Sequence, residues 1–210
     1  MGPSDASLEN PAHEPDPVPL APDPARLAEA AESLARALRA LGVTFDGAHL
    51  SDTPARLARL WSELFAGLEP ANAPDLGGFP NPDPGAGMVL ARGLPFYSMC
   101  AHHLLPFFGR AHVAYLPGAS VIGLGAIARL VDFRARRPTL QEALTAEVAG
   151  ELERALAPRG VAVLLEGRHL CMEMRGAKRR AHVETSAWRG AFEDAARRAE
   201  FLERIRTEAR

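Results

Sequence analysis

VAVLLEGRHLCMEMR, residues 161–175, decides the reading of this chain. Pro158 and Gly160 end a helical pattern just before it, and the run reads as one long strand. Strand side chains alternate between faces. His169, Cys171, Glu173 and Arg175 then share one face, and Leu170, Met172 and Met174 the other. One side is apolar and suits a core. The opposite side gathers an imidazole, a thiol, a carboxylate and a guanidinium.

Upstream of this run the chain reads as further strands and two helices. Met88–Ala91 and Leu94–Met99 are short apolar runs, and Arg110–Tyr115 alternates with Ala111, Val113 and Tyr115 on one side. Pro117-Gly118 turns the chain. Ala126–Arg136 predicts a helix with Ile127, Leu130 and Val131 inward. A second helix restarts at Pro138-Thr139 and carries Leu140, Leu144, Val148, Leu152 and Leu156 on one stripe. Downstream, Val183–Ala187 is a candidate last strand, and Phe192–Arg206 a closing helix with Phe201, Leu202 and Ile205 inward.

The N-terminal part is helical. Asp23 is a good cap and Pro24 suits the first position of a helix whose stripe is Leu27, Ala31, Leu34, Leu38 and Leu41, stopped by Gly42. Thr53-Pro54 opens a second helix, with Leu57, Leu60, Trp61, Leu64 and Leu68 on one face and Arg56, Arg59 and Glu63 on the other. Glu69 to Met88 is a Pro-, Gly- and Asn-rich connection. The organisation expected is a disordered Pro-rich tail (1–22), a helical segment with linker (23–87) and a main domain (88–210). Helices, strands, two helices, strands and a helix in that order predict an α+β fold with an antiparallel sheet.

Composition narrows the function classes. A hydrophobic fraction of 47% with 24% charge is ordinary for a globular chain of 210 residues. A formal net charge of −2 does not suggest general nucleic-acid binding. No apolar run reaches the roughly 18 residues of a membrane span, and Met1–Pro24 has no basic region followed by an apolar stretch, so no secretory signal is expected. Two cysteines in such a chain point to a reducing, cytoplasmic compartment.

Those two cysteines sit in Cys100-Ala101-His102-His103 and His169-Leu170-Cys171. Cys100 and His103 are spaced so that one turn can aim both at an ion, and Cys171 can supply a third ligand. Thiolate and imidazole are zinc ligands, and three protein ligands leave a position open for water. His102 and His169 are then free for proton transfer near neutral pH. Two alternatives stay open on the residues alone: a buried thiol beside a surface histidine, and a Cys100–Cys171 disulfide. Glu142 likewise has a plain reading, because Thr139-Leu140-Gln141-Glu142 fits a capping box. Arg56 and Arg59 read by default as solvated charges, and Arg175 as a partner for Glu173. His49, His112 and His182 read as surface or structural.

Several motifs together carry a resemblance. Asp52-Thr53-Pro54-Ala55-Arg56, Cys100-Ala101-His102-His103, Val121-Ile122-Gly123-Leu124, Arg137-Pro138 with Gln141-Glu142, and His169-Leu170-Cys171 with Arg175-Gly176 stand in one order over most of residues 51–205. In this the chain resembles the GTP cyclohydrolase I family, zinc enzymes of the tunnelling fold. The resemblance implies an antiparallel sheet with two helices between strand pairs. It implies Zn2+ held by Cys100, His103 and Cys171, with His102 and His169 as the catalytic acid/base pair. Glu142, helped by Gln141, would hold the guanine edge. Arg129 and Arg175, with Arg56 and Arg59 from another subunit, would face the triphosphate. The implied reaction opens the GTP imidazole ring at C8, releases formate and yields 7,8-dihydroneopterin triphosphate, in a homo-oligomeric, decameric toroid.

Two positions depart from the family pattern. Ala101 stands where an acidic residue is usual, and Gly125-Ala126 where Ser-Lys is usual. A charged donor lost to phosphate costs about 1.5–3 kcal/mol. Competing readings are a diverged paralogue acting on another purine nucleotide, and a non-catalytic oligomeric binding protein that keeps the metal site as a relic.

Overall fold

A computed structural model describes residues 23–83, 85 and 87–206; the tail assigned to residues 1–22 lies outside the described residues. The architecture is α+β. Two helices come first, α1 (Pro24–Ala40) and α2 (Thr53–Leu64). A short strand β1 (Gly78–Pro80) follows, then β2 (Val89–Cys100), β3 (Pro106–Leu116) and β4 (Ser120–Ile122). Helix α3 (Leu124–Ala135), strand β5 (Pro138–Thr139) and helix α4 (Gln141–Leu156) come next. Strand β6 (Gly160–His169), the single turn α5 (Leu170–Glu173), strand β7 (His182–Gly190) and helix α6 (Ala195–Arg206) complete the order.

Five strands form one sheet in the order β5-β2-β3-β6-β7, antiparallel except where β5 runs parallel to the end of β2. β1 and β4 pair separately. Alternation decides the packing. Ala111, Val113, Tyr115, Val161, Val163 and Leu165 face α3 and α4, where Ile127, Leu130, Leu144, Val148 and Leu152 are fully buried. Their neighbours Ala114, Leu116, Ala162 and Leu164 face the other way, onto Phe192 and Phe201. Both faces are thus apolar near the chain-reversal end of the sheet, and the two helices between strand pairs are as expected.

Several boundaries differ from the sequence reading. Residues 161–175 are not one strand: β6 ends at His169, and the chain turns helically through Cys171. Met88–Ala91 and Leu94–Met99 are one strand, β2, broken by a bulge between Ala91 and Leu94, where Gly93 takes φ +70°. The second inter-strand helix starts after Leu140, not at Pro138-Thr139, because those two residues pair with Met99 and Cys100 as β5. The capping box therefore does not form: Thr139 is a strand residue, and its hydroxyl donates to the Leu140 carbonyl at 3.3 Å.

The N-terminal helices pack on each other, and the apolar stripes read from sequence are only partly covered. Leu41, Leu60 and Leu68 are exposed. Asp23 caps α1 as expected, accepting from Ala25 N at 2.9 Å. The hairpin is tied to the body where Gly67 N donates to Arg136 O at 2.8 Å and Arg137 Nη2 donates to Gly67 O at 2.5 Å. Among the described residues no helix is long and apolar enough to cross a membrane.

His112 on β3 is structural rather than superficial. Its Nδ1 accepts from Gly93 N at 3.4 Å, while its buried Nε2 has no partner among the described residues. Burial holds its pKa below 6.5, with Arg110 and Arg92 acting in the same direction and Glu166 opposing. A depressed folded value means that the unfolded chain binds the extra proton first, so stability is complete above 6.5 and falls as pH drops below it. The expected result is a denaturant midpoint that declines below about pH 6.5 more steeply in the native chain than in His112→Gln. Parallel pH curves for the two would refute it.

Candidate metal and catalytic site

The site lies where β2 and β6 end. Beyond Cys100 the backbone makes a tight loop: Leu104 N and His103 N donate to Cys100 O at 2.8 and 3.3 Å, and Cys100 N donates to Leu105 O at 2.9 Å. Leu104 takes φ +50° to close it. Ala101 N donates to Thr139 O at 3.0 Å, which pins the loop to β5 and so to the start of α4. From the other side, the helical turn after His169 folds Cys171 back. The ligand atoms of Cys100, His103 and Cys171 all lie within 4.8 Å of one another.

Both cysteines are free thiols, so the disulfide alternative is not what the chain adopts. Burial, then the adjacent Cys100 thiol, push the Cys171 pKa up, while Arg175 opposes. Two thiols crowded beside one imidazole are a donor set that fits a soft divalent cation, whose charge would reverse that shift. The cluster can hold a metal with three protein ligands.

Two imidazoles flank it. His102 is exposed, with Nδ1 4.0 Å from Cys100 Sγ, and its ring meets His103 edge-on at 6.1 Å. His169 is half-buried and stacks flat on Phe107, centroids 4.7 Å apart and planes 4° apart. Burial holds its pKa below 6.5, and the Glu142 carboxylate acts against that.

The other expected residues are distributed unevenly. Glu142 is exposed in the first turn of α4, close enough for its charge to reach His169. Gln141 turns inward and is buried; its Nε2 lies 2.8–3.1 Å from Leu165 O, Val183 O and Thr185 Oγ1. Arg175 is exposed just after α5. Arg129 is half-buried on α3 beside Gly125. Arg56 and Arg59 are exposed on α2, in the N-terminal hairpin, and Arg56 pairs with Asp52 at 3.5 Å. Glu173 does not pair with Arg175. It takes a bidentate contact from Arg168, at 2.5 and 2.6 Å, and that guanidinium holds its carboxyl below the usual range.

Sequence reading missed Phe107, Thr145, Thr185 and Gly167. Only Gly167, a glycine inside an apolar strand pattern, left a signal.

Fold and site together define an α+β protein with a sulfur–nitrogen side-chain cluster able to hold a metal and two further histidines, His102 and His169, within two residues of its cysteines. A family model described as GTP cyclohydrolase I matches residues 30–206. The GTP cyclohydrolase 1 of Deinococcus radiodurans is 45% identical over 191 residues, covering 90% of this chain and 87% of that one. That of Brevibacillus brevis is 47% identical over 172 residues, covering 80% and 91%. That of Mycobacteroides abscessus is 46% identical over 189 residues, covering 84% and 88%. The crystal structure of an archaeosine synthase QueF-Like protein in the apo form superposes on 51% of this chain and 97% of its own, at TM-score 0.41 and 20% identity. The chain belongs to the GTP cyclohydrolase I family.

Proposed function

We propose that the chain is a zinc-dependent GTP cyclohydrolase I, opening the guanine imidazole ring at C8 to release formate and form 7,8-dihydroneopterin triphosphate. The observation that carries this reading is the convergence of Cys100, His103 and Cys171 within 4.8 Å, with His102 and His169 unligated beside them. Zinc, when bound, supplies a Lewis acid that makes a nucleophilic water available near neutral pH.

The chain's own residues do the rest. The Glu142 carboxylate accepts from the ring N–H and the exocyclic amino group of guanine, a pair of donors that adenine does not present. His102 and His169 move protons to and from the opening ring. Arg129 and Arg175 hold the triphosphate, together with Arg56 and Arg59 of a second copy, because forked guanidinium donors suit phosphate oxygens. Ala126 is buried, so at Gly125-Ala126 the side chains leave the phosphate grip to these arginines.

A homo-oligomer fits this division of labour. Among the described residues β7 is an edge strand, and β5 covers only the Met99–Cys100 end of β2, which leaves two long edges able to pair with further copies. An open groove of about 870 Å³ between α1 and α2, lined by Leu27, Leu34, Trp61 and Phe65, offers a further apolar surface.

The test is turnover. Zinc-loaded protein incubated with GTP is expected to give neopterin fluorescence after oxidation and dephosphorylation; none with the metal site filled would overturn the reading. Glu142→Ala removes two hydrogen bonds to a charged acceptor. It is expected to raise KM for GTP by about 10²-fold, equivalent to about 3 kcal/mol. An unchanged KM would remove Glu142 from the guanine edge.

A further inference from the structure

We infer that Gln141 is a positioning residue for His169: it fixes both the orientation and the tautomer of that imidazole, and does not contact the purine. The inference rests on the proposed turnover of GTP and assigns Gln141 a different task from the one its motif suggests.

Hydrogen-bond direction settles the chemistry. Gln141 is 1% exposed. One end of its amide faces Leu165 O at 3.1 Å and Val183 O at 2.8 Å. Backbone carbonyls only accept, so that end is the NH2 group. The same nitrogen meets Thr185 Oγ1 at 3.1 Å. Thr145 spends its one proton on Gln141 O at 2.7 Å, so across the 2.6 Å contact Thr185 donates to Thr145. Thr185 is then an acceptor for the amide, whose two protons are shared among three acceptors.

The other end of the amide is therefore Oε1, and it lies 2.8 Å from His169 Nε2. Oε1 has no proton to give. His169 must donate from Nε2, which leaves Nδ1 as the ring nitrogen with the lone pair in the neutral imidazole. Phe107, stacked on the same ring at 4.7 Å, removes rotation about the remaining axis.

Gly167 makes the approach possible. A Cβ there would sit 2.1 Å from Gln141 Oε1 and 3.0 Å from Cδ. Those atoms are the mobile end of a side chain, so a larger residue at 167 would displace the amide rather than the strand. Partners that hold a metal-ligating imidazole are typically worth about 10- to 100-fold, and the same scale is expected for one held to move protons.

Two routes test the assignment in the zinc-loaded protein. Gln141→Met keeps length but has no acceptor, and Gly167→Ala leaves Gln141 in place but pushes Oε1 off His169. Both are expected to lower kcat about 10- to 100-fold with KM for GTP and zinc content unchanged. A rise in KM as the main effect would place Gln141 on the purine instead and overturn the inference. So would native kcat with only a lowered melting midpoint. If Gln141→Met does not fold, Gly167→Ala decides alone, since it alters neither His169 nor any group that meets substrate. Failure of the native chain to turn over GTP would instead count against the proposed function, whereas loss confined to these variants bears on Gln141.

Discussion

Cys171→Ala is expected to leave a folded protein with almost no bound zinc and turnover reduced by at least about three decades. The magnitude follows from the several kcal/mol a Lewis acid supplies at a transition state, each 1.36 kcal/mol being tenfold. The fold should survive because Cys171 is only partly buried and sits at the rim of the core, while the fully buried side chains lie on α3, α4 and α6, at Phe192 and in the strand interiors. Metal content, a circular dichroism spectrum and a turnover assay on the same sample check all three statements. A chain that unfolds or disassembles on losing this thiol would instead hold its metal for structure, as the relic reading requires.

Phe107→Ala is expected to cost about 3–5 kcal/mol of stability, the usual range for emptying a buried aromatic site. For a chain of this size that is about 6–20 °C in the melting midpoint. Phe107 is fully buried, meets Phe96 edge-to-face at 5.9 Å and forms the flat wall against His169. Its removal should also lower kcat, because the imidazole loses one of its two constraints. A midpoint shift under about 3 °C would mean that the neighbours close over the gap and that the wall is not needed.

The sequence was most legible where a single periodicity governs. Leu144, Val148, Leu152 and Leu156 follow one helical stripe and are all buried, although Leu140, read as its first member, precedes the helix and is exposed; Ala111, Val113 and Tyr115 follow one strand face. The candidate metal site was legible because only two cysteines occur and each has a histidine two residues away, which needs no fine geometry to be noticed. Reading failed where a side chain's neighbours come from distant segments. Pro138-Thr139 looked like a helix start because a cap is a local signal, whereas their pairing with β2 is not. Gln141 looked like a ligand-facing residue beside Glu142, yet helix geometry turns adjacent positions by 100°, so one faces out and the other in. Its partners, Leu165, Val183 and Thr185, lie 24 to 44 residues away, beyond any pattern a window can show.

The helical turn at the end of β6 has a consequence for how this segment can vary. On a strand, an inserted residue between His169 and Cys171 would swap the thiol to the opposite side, and two insertions would restore it. In α5 each insertion rotates the thiol by about 100° and lifts it about 1.5 Å, so neither one nor two extra residues bring it back to the cluster. The interval separating His169 from Cys171 is thus an angular constant of the chain. Within this segment, length changes are expected to be tolerated past Glu173, where the turn ends.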